Sequence, residues 1–125
     1  MFFFKKKEKK QEEAAPVVNK EELLSKALEK AEALKEAAGD DRVKLLNEIG
    51  SLYTQAEETD QAIKYYEESL ELCKQHGKAS TDLMKLYNKK RQEAAEAKDD
   101  EKVKFYMEKV QSLMQMSKDM IRGNA

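Results

Sequence analysis

Residues 43–76 read VKLLNEIGSLYTQAEETDQAIKYYEESLELCKQH. Apolar residues recur in this stretch every three or four positions, at Ile49 and Tyr53 in the first half and at Ile63 and Tyr66 in the second. That spacing places them on one face of an α-helix. The stretch therefore predicts two amphipathic helices joined by a short link, which is a helical hairpin.

Parts of this hairpin recur later in the chain. Residues 44–47, KLLN, return as KLYN at residues 85–88, 41 positions on, and residues 60–66, DQAIKYY, return as DEKVKFY at 100–106, 40 positions on. The one-residue difference predicts a shortened link in the second copy. Repeated hairpins bury a shared face by stacking on their neighbours. We predict a clear repeat over 43–76 and a degenerate repeat over 83–121.

Similar apolar stripes predict five helices in all, separated by capping residues and glycines. Gly39 and Gly77 are predicted to end the first and third helices, because glycine adopts the left-handed conformation at a helix end with little strain. The predicted N-caps or first residues are Asn19, Asp40 or Asp41, Thr59 or Asp60, Ser80, Thr81 or Asp82, and Asp99 or Asp100. The predicted fold is all-α, an array of about five antiparallel helices over residues 19–122.

Composition narrows the classes of function. The 125 residues include 24 Lys plus Arg and 25 Asp plus Glu, which argues against nucleic-acid binding because such domains carry a basic excess. No apolar run reaches the ~20 residues of a membrane span. One cysteine and one histidine leave few groups for catalysis or metal binding. We therefore expect a cytoplasmic protein without cofactor, metal or enzymatic activity.

The residues of the first hairpin resemble a tetratricopeptide repeat. The small, aromatic and apolar positions of that family are occupied here by Leu46, Ile49, Gly50, Tyr53, Ala62, Tyr66 and Ser69. Departures from the family pattern are Lys74 in place of a terminal proline, and Lys90, Arg91 and Lys102 in the second copy. The resemblance implies an α-solenoid that serves as a non-catalytic adaptor, with the first helix of each pair lining a groove for a partner protein or peptide.

The family's groove positions indicate a binding site on this chain. They correspond to Lys44, Asn47, Ser51, Thr54, Lys85, Asn88 and Gln92. Ammonium and amide donors on one face suit a carboxylate, so the expected partner is an acidic peptide or a free C-terminus. The alternative is that these side chains only solvate an exposed helix face.

The last predicted helix suggests a second function, assembly by self-association. Its core-facing residues are predicted to be Val103, Tyr106, Val110, Met114 and Ile121. Further apolar residues lie on its other faces, and we predict that they contact another copy of the chain: Phe105, Leu113, Met116 and Met120. A helix that is apolar over so much of its circumference is usually covered from more than one side. The alternative is an ordinary terminal helix.

Residues 1–18 form a predicted disordered tail, with three phenylalanines followed by lysines. A secretory signal has the reverse order, with the positive segment before a longer apolar one. Aromatic rings and lysines together favour weak attachment to an anionic membrane surface, which would make the protein peripheral to a membrane. The residues predicted to make this contact are Phe2, Phe3, Phe4, Lys5, Lys6 and Lys7. The alternative is a solvated tail.

Overall fold

The computed structural model describes residues 19–73 and 77–121, with the side chains of residues 120 and 121 excepted. This part of the chain is all-α, as predicted, and contains five α-helices. They are α1 (Lys20–Ala33), α2 (Gly39–Gln55), α3 (Thr59–Leu72), α4 (Lys78–Glu96) and α5 (Asp100–Ile121), with a 3-10 turn at Leu34–Glu36. Each helix packs on the next one in the chain, so α2–α3 and α4–α5 form antiparallel hairpins and α1 packs on α2.

Three of the predicted helix starts are confirmed. The Asn19 side chain accepts a hydrogen bond from the Glu21 backbone N–H at 2.9 Å, which is the contact of an N-cap. Thr59 is the first residue of α3. Asp99 precedes α5, and its Oδ1 accepts from the Lys102 N–H at 3.2 Å.

Other helix boundaries differ from prediction. Gly39 has the expected left-handed conformation, with φ of +60°, but it begins α2, because α1 already ends at Ala33. Ala38, not an aspartate, is the N-cap residue of α2. Helix α3 ends at Leu72, well before Gly77.

The start of α4 also differs from prediction. Gly77 is its N-cap residue and Lys78 its first helical residue, so α4 begins before the predicted serine or aspartate. The Ser80 hydroxyl still stabilises this end from one turn inside, since it accepts from the Gly77 N–H at 3.1 Å.

The two hairpins turn in the same way. After α2, Glu57 has φ of +62°, and the N–H of Glu58 donates to the Tyr53 carbonyl at 2.8 Å. After α4, Lys98 has φ of +58°, and the N–H of Asp99 donates to the Ala94 carbonyl at 2.9 Å. Both are Schellman turns.

The matched turns correct the predicted repeat register. They are 41 positions apart, and each leaves three residues between its helices, so the second link is not shortened. The position in α5 that matches Ala62 is consequently Val103, not Lys102. Ala62 is buried, Val103 is partly buried and Lys102 is exposed.

Three side-chain contacts join the hairpins through α3 and α4. The Tyr66 hydroxyl donates to Asp82 Oδ2 at 2.7 Å, the Tyr87 hydroxyl donates to Glu67, and the Lys90 ammonium lies 3.0 Å from Asp60. Burial, followed by the hydrogen bond to a carboxylate, raises the pKa of each tyrosine hydroxyl. Both hydroxyls therefore stay protonated and act as donors across the junction.

Candidate functional site

An open depression of about 820 Å³ runs along α2, from the first turn of that helix to its last. Most of its lining comes from one face of α2, while α1, Cys73 just after α3 and the start of α4 close its edges. The lining residues are Lys30, Asp40, Val43, Lys44, Asn47, Glu48, Ser51, Leu52, Gln55, Cys73 and Lys78. Most of the lining residues are thus polar or charged, and Val43, Leu52 and Cys73 add apolar contacts.

Asn47 is held in one orientation by a buried partner. The hydroxyl of Ser69, which is buried in α3, donates to Asn47 Oδ1 at 2.7 Å. Because the amide oxygen is engaged, the amide nitrogen is the group that Asn47 offers to a ligand, with two N–H donors. No acceptor for that nitrogen lies among residues 19–73 and 77–121. One turn further on, Gln55 Nε2 lies 3.3 Å from Ser51 Oγ.

The cations around the depression differ in how they are neutralised. Lys30 pairs with Glu48 at 3.2 Å, and Lys78 pairs with Asp82 at 2.9 Å. Lys44 is exposed, and no carboxylate in the described segments forms an ion pair with it. Within the described part of the chain, Lys44 is therefore the lysine of the depression whose ammonium a ligand carboxylate meets without displacing an acid.

Asp82 stays charged because of its two donors. Burial alone acts to raise the pKa of this carboxyl, but the hydrogen bonds from Lys78 and Tyr66 outweigh it, and the pKa is lowered. A charged Asp82 holds the Lys78 ammonium at the edge of the depression. Asp82 therefore links this edge of the depression to the junction between the hairpins, where it accepts the Tyr66 hydroxyl.

Three of the seven predicted groove residues line the depression, namely Lys44, Asn47 and Ser51. Thr54 instead donates its hydroxyl to the Gly50 carbonyl at 2.8 Å, one turn back in the same helix. The predicted residues of α4 do not line it either. The groove-lining lysine of α4 is Lys78, not Lys85.

The predicted groove residues of α4 lie elsewhere on the surface of that helix and do not line the depression. Asn88 Nδ2 donates to the Met84 carbonyl at 3.0 Å, and its Oδ1 accepts from the Arg91 guanidinium. Lys85 and Gln92 are exposed. The recurrence of Lys-x-x-Asn in α2 and α4 therefore does not create one continuous donor surface.

Lys30, Gln55 and Lys78 line the depression but were not predicted to do so. The position of Lys30 depends on how α1 packs across α2, which the repeat pattern does not cover. Lys78 was missed because α4 begins earlier than its capping residues suggest. Glycine is among the residues preferred at an N-cap, so Gly77 itself was the signal for an earlier start.

The predicted self-association residues are distributed differently from expectation. Phe105 is 49% exposed, with the Lys109 ammonium 5.5 Å from its ring centre. Leu113 is buried in the core and Met116 packs against that core, so the prediction that they cover an outer face is wrong. The side chain of Met120 lies outside the described residues.

The prediction that Met114 faces the core is also wrong, since it is 47% exposed. Tyr106 and Leu113 are seven residues apart, close to two helical turns, and both contact the core. Met114 is turned by about 100° from Leu113 and so projects away from it.

Several predictions concern residues beyond the described part of the chain. The tail 1–18, including Phe2, Phe3, Phe4, Lys5, Lys6 and Lys7, and the single histidine, His76, are among them. Within residues 19–73 and 77–121, no set of three or more His, Cys, Asp or Glu side chains is arranged to hold a metal ion. None of the helices described has the length and apolar character of a membrane span.

Comparison of the chain with protein-family models, with curated proteins and with solved structures returns no match.

Proposed function

We propose that this protein is a tetratricopeptide-like adaptor that binds an acidic, extended segment of a partner protein in the depression along α2. The observation that carries the proposal is the meeting of Lys44, Asn47 and Ser51 in one open depression. The resemblance of residues 43–76 to a tetratricopeptide repeat supports the same function.

The chemistry of the lining favours a carboxylate ligand. Lys44 supplies an ammonium that forms no ion pair with a carboxylate of residues 19–73 or 77–121, and Asn47 supplies an oriented amide. Charge-assisted hydrogen bonds from such groups are stronger than neutral ones. Val43 and Leu52 provide apolar contact for a neighbouring side chain of the ligand. We therefore expect a ligand in which an acidic residue, or the C-terminal carboxylate, adjoins an apolar residue.

A peptide-display selection tests the proposal and does not require the partner protein to be identified. A random peptide library is selected on the immobilised full chain, and the enriched peptides are synthesised with a fluorescent label. Their Kd is then measured by fluorescence anisotropy. We expect enrichment of Asp and Glu over Lys and Arg, and weaker binding at high salt because the contact is ionic.

Two charge reversals make a matched pair for this measurement. Lys44→Glu places a negative charge in the depression and should weaken binding on the order of tenfold. Lys85→Glu makes the same change on exposed α4, outside the depression, and should leave the Kd nearly unchanged. Equal affinity of the wild-type chain and the Lys44→Glu variant for the enriched peptides would overturn the proposed site.

A further inference from the structure

Helices α3 and α5 follow the same turn, so their residues can be compared position by position. In α3, Ala62, Tyr66 and Ser69 are buried. The Tyr66 ring lies against Gly50 of α2 and the Ser69 hydroxyl bonds to Asn47 of α2, while the Tyr66 hydroxyl reaches α4 and bonds to Asp82. The register of 41 set by the two turns makes Val103, Met107 and Val110 the matching residues of α5. The described segments contain no helix after α5 to cover them.

These matching residues continue as an apolar line on α5. Val103, Met107, Val110 and Met114 follow one another at intervals of four, three and four residues, and we call them the α5 seam. Met107 is 45% exposed and Met114 is 47% exposed, while the two valines are partly buried and Val110 also packs against the core. Alternating intervals of three and four are the spacing with which two helices pack along each other.

The α5 seam is complementary to itself in the antiparallel direction. When Met107 lies beside Val110 of a second copy, Val103 lies beside Met114 of that copy, and both relations also hold in reverse. Each layer then contains one long and one short side chain, which is an arrangement that fills space well. The same residues thus serve both subunits, as the symmetry of a two-fold dimer requires.

Charges at the two ends of α5 favour the same direction. Asp100 and Lys118 lie on the same side of the helix, beside the seam, and both are exposed. In an antiparallel pair, Asp100 of each copy is near Lys118 of the other copy. In a parallel pair, Asp100 of one copy and Lys118 of the other would lie at opposite ends of the interface, about 27 Å apart along the axis, and could not pair.

We propose that a second copy of this chain packs antiparallel along the α5 seam and forms a two-fold dimer. The proposal goes beyond the proposed function, because it uses α5 and leaves the depression along α2 open. It differs from the self-association surface predicted from sequence, since Leu113 is buried in the core and Phe105 is not part of the seam.

Sedimentation equilibrium of the full chain tests the dimer. We expect reversible dimerisation, and Met107→Glu should raise the dimer Kd on the order of tenfold or more, because the new carboxylate faces an apolar layer. Leu28→Glu is a matched control, since Leu28 is 62% exposed on α1. Phe105→Glu is a second control on α5 itself. Both controls should retain the wild-type Kd.

A charge exchange tests the direction of packing. Asp100→Lys and Lys118→Glu should each raise the dimer Kd, and the double variant should restore it, because both pairs are re-formed with reversed sign. A wild-type chain that remains monomeric at about 0.5 mM would overturn the proposal. If Met107→Glu and Phe105→Glu raise the dimer Kd equally, the assignment of the interface to the α5 seam is overturned. If the double charge variant dimerises no more tightly than the single variants, the antiparallel arrangement is overturned.

Discussion

Gly50 allows the ring of Tyr66 to lie directly against the backbone of α2. A Cβ atom at position 50 would lie 2.9 Å from Tyr66 Cζ and 3.0 Å from both neighbouring ring carbons. Tyr66 has no room to withdraw, because it is fully buried and its hydroxyl is bonded to Asp82 across the hairpin junction. One missing side chain thus determines how closely α2 and α3 approach.

We expect Gly50→Ala to lower the free energy of unfolding by about 1–3 kcal/mol, the usual effect of overpacking. Chemical unfolding followed by far-UV circular dichroism measures the change. The control is a double-mutant cycle with Tyr66→Leu, which removes the ring carbons that the new methyl group would contact. If Gly50→Ala destabilises the Tyr66→Leu background just as strongly, the ring is not the cause.

At the scale of secondary structure, the two turns place residues other than glycine in the left-handed region. Glu57 and Lys98 have φ values of +62° and +58°. The Schellman hydrogen bonds hold them there, although a side chain in this conformation is strained by about 1–2 kcal/mol. The chain tolerates this strain at both turns, so the turn geometry does not come from a conformational preference of Glu57 or Lys98.

We expect Glu57→Gly and Lys98→Gly each to raise the free energy of unfolding by about 0.5–1 kcal/mol. Glycine relieves the left-handed strain, and the greater freedom of the unfolded chain offsets part of that gain. Thermal unfolding of each variant measures the effect. Glu57→Ala is the control, because it removes the charge but keeps a Cβ. A gain in Tm from alanine as large as that from glycine would contradict this explanation.

At the scale of the whole molecule, the two hairpins are held together by buried side chains with polar ends. Tyr66 and Tyr87 each cross the junction between α3 and α4 and bond to a carboxylate on the other helix. Asp82 connects this junction to the depression, because it also binds Lys78 at 2.9 Å. Stability and the shape of the candidate site are therefore coupled through one carboxylate.

We expect the stabilisation by Asp82 to depend on pH. Its pKa in the folded chain is lowered, so its contribution is complete above the unfolded value of about 3.9 and is lost as the pH falls through the folded value. Asp82→Asn should therefore lower the Tm near pH 7, and the difference from wild type should shrink as the pH falls below the unfolded value of about 3.9.

Thermal unfolding at a series of pH values measures this dependence. Asp41→Asn, in the exposed first turn of α2, is the matched control. The Tm difference that it produces should change less with pH than that of Asp82→Asn. A pH-independent difference for Asp82→Asn would show that its carboxylate is not the stabilising form.

The helical fold could be predicted from the spacing of apolar residues and from the capping residues. Leu46, Ile49, Tyr53 and Tyr66 are buried in the core, as their spacing indicates, and Asn19 and Asp99 cap their helices as predicted. These features are local, because a helix places residues three and four apart on one face whatever it packs against. The resemblance to a tetratricopeptide repeat, and not the periodicity, pointed to Lys44, Asn47 and Ser51, three of the eleven residues that line the depression.

Tertiary structure alone decided the features that depend on how the helices meet. Val103, not Lys102, matches Ala62 because the two Schellman turns are 41 positions apart. The sequence similarity between residues 60–66 and 100–106 instead suggests a spacing of 40 positions. The burial of Leu113 and the exposure of Met114 depend on the rotation of α5 against α3 and α4. Lys30 and Lys78 join the depression because α1 and α4 border α2. Periodicity specifies which residues share a face of a helix, but the neighbouring helices determine which face is covered.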